Sequence, residues 1–211
     1  MNRPSPLLLS LLLILLAGLL SALAPIEKTL GANARLVYFH GAWVWAGLLG
    51  FLAAGLAGLA AWILRKEALH KASLALGRSA LVFWITFLPM SLAVMQASWN
   101  GLFLDEPRFR GPLNLAIVGL LLQVGLSLLA DKRWASLANL GFALVMFTSL
   151  SGVQSVLHPE SPIFGSGSTS IQVYFLALIL LLGAAAWQLA RAWYQFEERR
   201  ERVRARQVVR V

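Results

Sequence analysis

Six stretches of this chain, at residues 7–24, 36–64, 79–104, 111–130, 134–157 and 161–190, contain no Lys, Arg, Asp or Glu. A hydrocarbon core of about 30 Å takes about 20 apolar residues of helix, within a range of roughly 17–25. Each stretch is therefore long enough to hold a spanning helix, and the second, third and sixth have surplus length that must form interfacial or loop structure at one end. Apolar residues make up 59% of the chain and charged residues 13%, whereas soluble domains have about 45–50% and 25%. Only the segment after Arg191 is polar enough to lie in water.

Charge sets the orientation. With the amino terminus inside, fourteen of the eighteen Lys and Arg fall on the inner side with five acids, and the remaining four fall outside with four acids. The whole formal charge of +9 is then cytoplasmic, as the positive-inside rule requires. The expectation is an all-α integral membrane protein, a single polytopic domain over 1–211 with six transmembrane helices and both termini cytoplasmic. The helices are expected near 7–24, 38–64, 79–98, 112–130, 134–155 and 171–192, followed by a basic cytoplasmic tail at 193–211. Arg3 before an apolar run, with Ala22-Leu23-Ala24 after it, also fits a signal peptide. The length of the run and the position of Pro25 favour a retained helix.

There is no cysteine. Disulfides, Cys-based zinc sites, iron–sulfur clusters and thioether attachment of haem by this chain are thereby excluded. Nucleotide-binding glycine patterns are absent, and the basic balance reports orientation, so no nucleic-acid partner is expected.

Ala46, Gly50, Ala54 and Gly58 recur every four residues, a small-residue stripe that lets another helix approach closely. Tyr38, His40, Trp43 and Trp45 occupy the outer turns of the second helix and fit an interfacial aromatic belt. Residues 65–78 are expected to form the inner loop, and Pro89 to kink the third helix. Gln123 and Asn139 read as interhelical hydrogen-bond partners. The basic tail reads as a topology anchor on anionic membrane lipid, or as a docking segment for a partner.

Two outer connections, 98–111 and 154–170, are long enough to fold over the outer face. Topology puts His70 inside and both His40 and His158 at the outer surface. Neutral imidazole is the commonest side-chain ligand for transition metals and haem iron, and a six-coordinate haem takes two. Each of these histidines also fits a plain headgroup-level role. The first outer connection carries Trp99, Phe103, Asp105, Glu106, Arg108, Phe109 and Arg110. Aromatic faces and guanidinium groups suit a flat apolar ring bearing carboxylates, and they equally suit an anchored interfacial turn. Serine-protease chemistry lacks a buried histidine base within a span, the His-Glu-x-x-His pattern is absent, and no ionisable group lies deep in a span for ion-coupled transport.

The run Arg35-Leu-Val-Tyr-Phe-His40, two residues before Ala42-Trp43, resembles the Tyr-x-His-x-Pro-x-Ala-Trp region of the six-helix CcmC-type proteins of cytochrome c maturation. Gln154-Ser-Val-Leu-His158, followed by Ser161-Pro-Ile-Phe164, resembles that family's Asn-Thr-Leu-His loop and the segment after it. The order histidine, aromatic loop, histidine also agrees, over nearly the whole chain. The family's middle loop has the form Trp-Gly-x-Trp-Trp-x-Trp-Asp-x-Arg. Here Trp99, an acidic residue and Arg108 persist, while Leu102 and Phe103 stand at the paired tryptophan positions. The proline near His40 is missing, and its spacing to Trp43 is two residues shorter.

The resemblance implies non-covalent haem b held at the extracytoplasmic face of a bacterial or archaeal cytoplasmic membrane and handed on during cytochrome c maturation. His40 and His158 take the roles of axial ligands to the haem iron, and Trp43, Trp99, Phe103 and Arg108 those of the haem platform and propionate contacts. It further implies a haem chaperone of the CcmE type and the subunits of an ABC-type ATPase complex as partners. Such a chain is a haem-binding and transfer protein more than a bond-making enzyme. The alternative is a membrane scaffold subunit that binds no haem and acts through the small-residue stripe and the tail.

Overall fold

The computed structural model describes residues 4–129, 131–153, 156–157 and 163–208. Six helices follow one another: α1 (Pro6–Ala22), α2 (Ala34–Leu64), α3 (Glu67–Trp99), α4 (Pro107–Leu128), α5 (Lys132–Ser151) and α6 (Thr169–Val208). Helices α2 to α6 are each long and apolar enough to cross a membrane. Helix α1 has 17 residues, roughly 25 Å at 1.5 Å per residue. Leucines along α1 and apolar side chains on every other helix face outward, the pattern of helices whose solvent is lipid. This is a helical membrane protein.

Local signals mark the ends. Ser5 caps α1 by accepting from Leu8 N–H at 3.1 Å, with Pro6 at the first helical position, and Asp131 caps α5 through Arg133 N–H at 2.9 Å. Helix α3 stops at Asn100, which takes the left-handed conformation that asparagine tolerates (φ 53°). It runs through Pro89 as one continuous helix. Ser10 Oγ donates to the Ala185 carbonyl at 2.9 Å, and the Tyr174 hydroxyl donates to the Leu20 carbonyl. Helices α1 and α6 are therefore antiparallel, and the start of α1 and the end of α6 share one end of the bundle, the terminal end. The opposite end is the distal end. There the connection before α2 is held by Glu27, which accepts from Thr29 and Leu30 N–H, both at 2.8 Å. The Leu30 and then the Thr29 amide hold its carboxyl below the usual carboxylate range.

The small-residue stripe is the central seam. A Cβ placed on Gly50 would lie 2.9 Å from Ala80 Cβ, and one on Gly58 would lie 2.6 Å from the Ser136 carbonyl oxygen. Ala46 and Ala54 are buried. Helix α2 is thus pressed against α3 and α5 at distances that only glycine and alanine permit. Beside the seam, Gln123 Nε2 donates to Asn139 Oδ1 at 2.9 Å, Asn139 Nδ2 donates to the Ser73 carbonyl at 2.9 Å, and Ser73 Oγ donates to the Ala54 carbonyl at 2.9 Å. Four helices meet at this node, and both amides have the interhelical role their sequence positions suggested.

The terminal end departs from expectation. Residues 65–78 are not an inner loop: Arg65 closes α2 in the left-handed region (φ 52°), and α3 begins at Glu67. Consequently His70 lies on a helix, buried, with Nδ1 2.7 Å from Ser136 Oγ. The basic tail is also helical, as a continuation of α6 to Val208. Both extensions have the same physical cause. Glu197, on α6, meets Arg78 at 2.5 Å, and Glu201, one turn later, meets Lys71 at 2.6 Å and also Lys132. Arg78 further lies over the Trp193 ring at 5.5 Å. The acids among the tail arginines clamp it to α3 and α5, so a polar stretch stays ordered.

Candidate functional site

At the distal end the helices diverge around an open cavity of about 340 Å³, within the range of small-molecule sites. Helix α2 supplies one wall. Its residues Val37, His40, Gly41, Val44, Trp45 and Leu48 line the cavity, and their spacing by threes and fours makes them a single face. Trp84, Phe87, Ser91 and Met95 of the adjoining α3 also line it, as do Pro112 and Phe175. His40 stands over Phe87 with ring centroids 5.9 Å apart, and Phe87 packs edge-on against Trp84 at 4.8 Å. The Trp84 indole is fixed by donating to the Pro112 carbonyl at 3.2 Å. Gly41 leaves room for Phe175, whose ring would be 3.2 Å from a Cβ at that position.

The first outer connection forms the rim. It is shorter than 98–111, because α3 runs to Trp99 and α4 starts at Pro107, which puts Arg108 and Phe109 on the first turn of α4. Both line the cavity, as do Trp99 and Glu106. Glu106 is only 5% exposed. Its backbone carbonyl accepts from Phe109 and Arg110 N–H at 2.8 and 2.9 Å to begin the helix. Its carboxylate reaches across to accept from Leu157 N–H at 3.1 Å and, more weakly, Val156 N–H at 3.4 Å. One buried acid therefore ties the rim of α4 to the second outer connection.

Of the six residues that the sequence singled out, His40, Trp99 and Arg108 come together in this cavity. Phe103 lies outside it, 41% exposed and edge-on to Trp99 at 6.0 Å. Trp43 also lies elsewhere: its Nε1 donates to the Phe83 carbonyl and to Thr86 Oγ1, both at 3.0 Å, and its ring packs on Phe83 at 4.6 Å. It belongs to the α2–α3 seam. Two residues along the helix is about 200° of rotation, so Trp45 faces the cavity in its place. His158 lies outside the described residues, immediately after Leu157. Sequence reasoning passed over Trp45 as a wall residue, and over Trp84 and Phe87; it named Glu106 in the connection without giving it a place in the site. The spacing 37, 40, 41, 44, 45, 48 carried the signal for the α2 wall.

As a donor set the cavity offers an imidazole, a guanidinium and a carboxylate at the rim of an aromatic pocket. That chemistry suits a flat apolar molecule with an anionic edge: rings stack on the walls, and the guanidinium takes a carboxylate in bidentate fashion. No protein-family model matches the chain, and no curated protein matches its sequence.

Proposed function

We propose that this protein holds haem b non-covalently at the extracytoplasmic face of a bacterial or archaeal cytoplasmic membrane and hands it on during cytochrome c maturation. In this reading all six helices span, with the terminal end cytoplasmic and the distal cavity outside. The observation that carries it is the convergence of His40, Trp99 and Arg108, from three successive helices, on one aromatic-walled cavity. Their CcmC-like order along the chain and the neutral charge balance of the distal connections support the same reading.

His40 and His158 serve as axial ligands to the iron, Trp45, Trp84, Phe87 and Trp99 receive the macrocycle, and Arg108 takes a propionate. Phe103 extends the platform at the rim. Glu106 holds the segment that leads into His158. Imidazole ligation is reversible, so haem leaves to a chaperone of the CcmE type, with an ABC-type ATPase complex as the membrane partner. The scaffold reading has less support, because the small-residue stripe it relies on is buried within the bundle against α3 and α5.

Titrating haem into the purified protein tests the assignment of Arg108. Arg108→Ala is expected to weaken haem retention about tenfold, the loss of one charge-assisted contact. Equal retention by the variant and the parent would remove Arg108 from the site.

A further inference from the structure

The distal cavity exists because α5 is short. Helices α2 and α5 run antiparallel through the seam: a Cβ on Gly55 would lie 3.1 Å from Ala143 Cβ, and one on Gly58 would lie 2.6 Å from the Ser136 carbonyl oxygen. From Ala143, α5 continues only to Ser151, about 12 Å, whereas from Gly55, α2 extends back to Ala34, about 32 Å. The last stretch of α2, about 20 Å long, therefore has no α5 beside it. The cavity occupies that place, and Leu150 on the last turn of α5 and Val153 just beyond it are among its lining residues.

Helix α6 does not close the space that α5 leaves. It packs on α1, α2 and α3, and among the described residues no Cα of α5 comes within 8 Å of a Cα of α6. Helix α2, which touches both, keeps a strip of side chains outside the bundle. Trp45, Leu49, Leu52 and Leu56 are 38–55% exposed, and their spacing by fours and threes puts them on a single face. In a membrane protein that face meets acyl chains. Trp45, at the distal end of the strip, is also a wall of the cavity. Cavity and lipid-facing surface thus share one side chain.

Polarity is graded in the same direction. Trp99, Glu106 and Arg108 lie at the rim, whereas Val44, Trp45, Leu48 and Leu150 are apolar. Trp45 stands nine residues inward of Leu36, the first residue of its uncharged stretch, which is about 14 Å along the helix and below headgroup level. A flat amphiphile lying in the distal leaflet, with its anionic edge among the headgroups and its ring among the acyl chains, already has the orientation in which its edge meets Arg108 and its ring passes Trp45.

We propose that the cavity is filled sideways: its ligand arrives dissolved in the lipid of the distal leaflet and enters past Trp45, on the side of α2 where α5 and α6 stand apart. The proposal rests on the cavity being the ligand site, as in the reading above, but not on the ligand being haem.

The chain has no cysteine, so a nitroxide attached to a single introduced one reports from a chosen position. The full-length protein in lipid bilayers is labelled at Val44→Cys, on the half-buried cavity wall, and at Leu49→Cys, on the exposed strip. Spin relaxation by oxygen, which concentrates in hydrocarbon, is compared with relaxation by a nickel chelate confined to water. At Val44 oxygen is expected to be the more effective, as at Leu49. A nickel effect equal to or greater than that of oxygen would show a cavity filled from water, and no effect of either reagent would show a closed one; both results overturn the proposal. Leu48→Cys, also on the cavity wall, repeats the measurement, and the thermal unfolding temperature confirms that each labelled protein is folded. Uptake of haem from liposomes is read separately. Oxygen contact at Val44 without haem uptake would reject haem as the ligand and leave the lateral opening standing.

Discussion

Glu197 at the terminal end and Glu106 at the distal end are both nearly buried, 8% and 5% exposed, yet they act differently. Glu197 lies against the Arg78 guanidinium, in a row of acid–base pairs that fastens the end of α6 to α3 and α5. Glu106 accepts from the backbone of another connection and helps form the rim of an open cavity. At one end ionic groups fasten helix to helix; at the other a carboxylate ties one connection to another beside an open cavity. The packing follows the same division. Near the terminal end, Gly58 would bring a Cβ to 2.6 Å from backbone oxygen, whereas a Cβ on Gly111, at the distal end, would meet only Val153 Cγ2, at an ordinary 3.7 Å. In this bundle cohesion resides in the seam and the terminal clamp, which leaves the distal end free to carry a site.

Substitutions that act on one end and spare the other test this division, and the largest effect belongs to the seam. Gly58→Ala is expected to destabilise the protein by about 3 kcal/mol through overpacking against a carbonyl that has no room to retreat, while Gly111→Ala should change stability by no more than about 0.5 kcal/mol. Thermal unfolding in detergent compares them, and equal effects would erase the contrast. Next comes Glu197→Gln, which leaves Arg78 partly buried without its counter-ion. A loss of about 2 kcal/mol is expected, below that of a fully buried pair because both side chains retain some exposure. Hydrogen exchange should then quicken across the end of α6 and leave the cavity walls unaffected. Glu106→Gln is expected to cost less than Glu197→Gln, about 1.5 kcal/mol for weakened charge-assisted bonds. Its signature is local, in faster exchange of the Leu157 amide; unchanged exchange would show that the carboxylate does not hold that segment.

The same contrast explains what the sequence disclosed. Apolar runs, the four-residue stripe and the two amides in the spans are short-range signals whose packing consequences hold in any helical bundle: the stripe and the amides are found in the roles expected of them, and five of the six runs, all but α1, form helices long and apolar enough to cross a membrane. The start of α3 and the end of α6 were hidden because their charges resemble those of solvated segments. Only the pairing of Arg78 with Glu197 and of Lys71 with Glu201, more than a hundred residues apart, makes them helical and orders the tail. At the cavity, His40, Trp99 and Arg108 stood out as polar or aromatic residues at span ends. Trp84 and Phe87 did not, because an aromatic side chain inside an apolar run reads the same whether it faces a core or a cavity. Trp43 and Trp45 show the limit most clearly: both lie at the same depth, and the rotation of α2 that separates them is set by its contacts with α3.

The central claim is that the distal cavity holds haem between two histidines, and the absorption spectrum of the detergent-purified protein tests it most directly. The expected result is a low-spin b-type haem with bis-imidazole character in the parent, lost in His40→Ala and in His158→Ala while the unfolding temperature of each variant stays close to that of the parent. A parent that takes up no haem when it is supplied, or a low-spin spectrum unchanged in both variants, would contradict it.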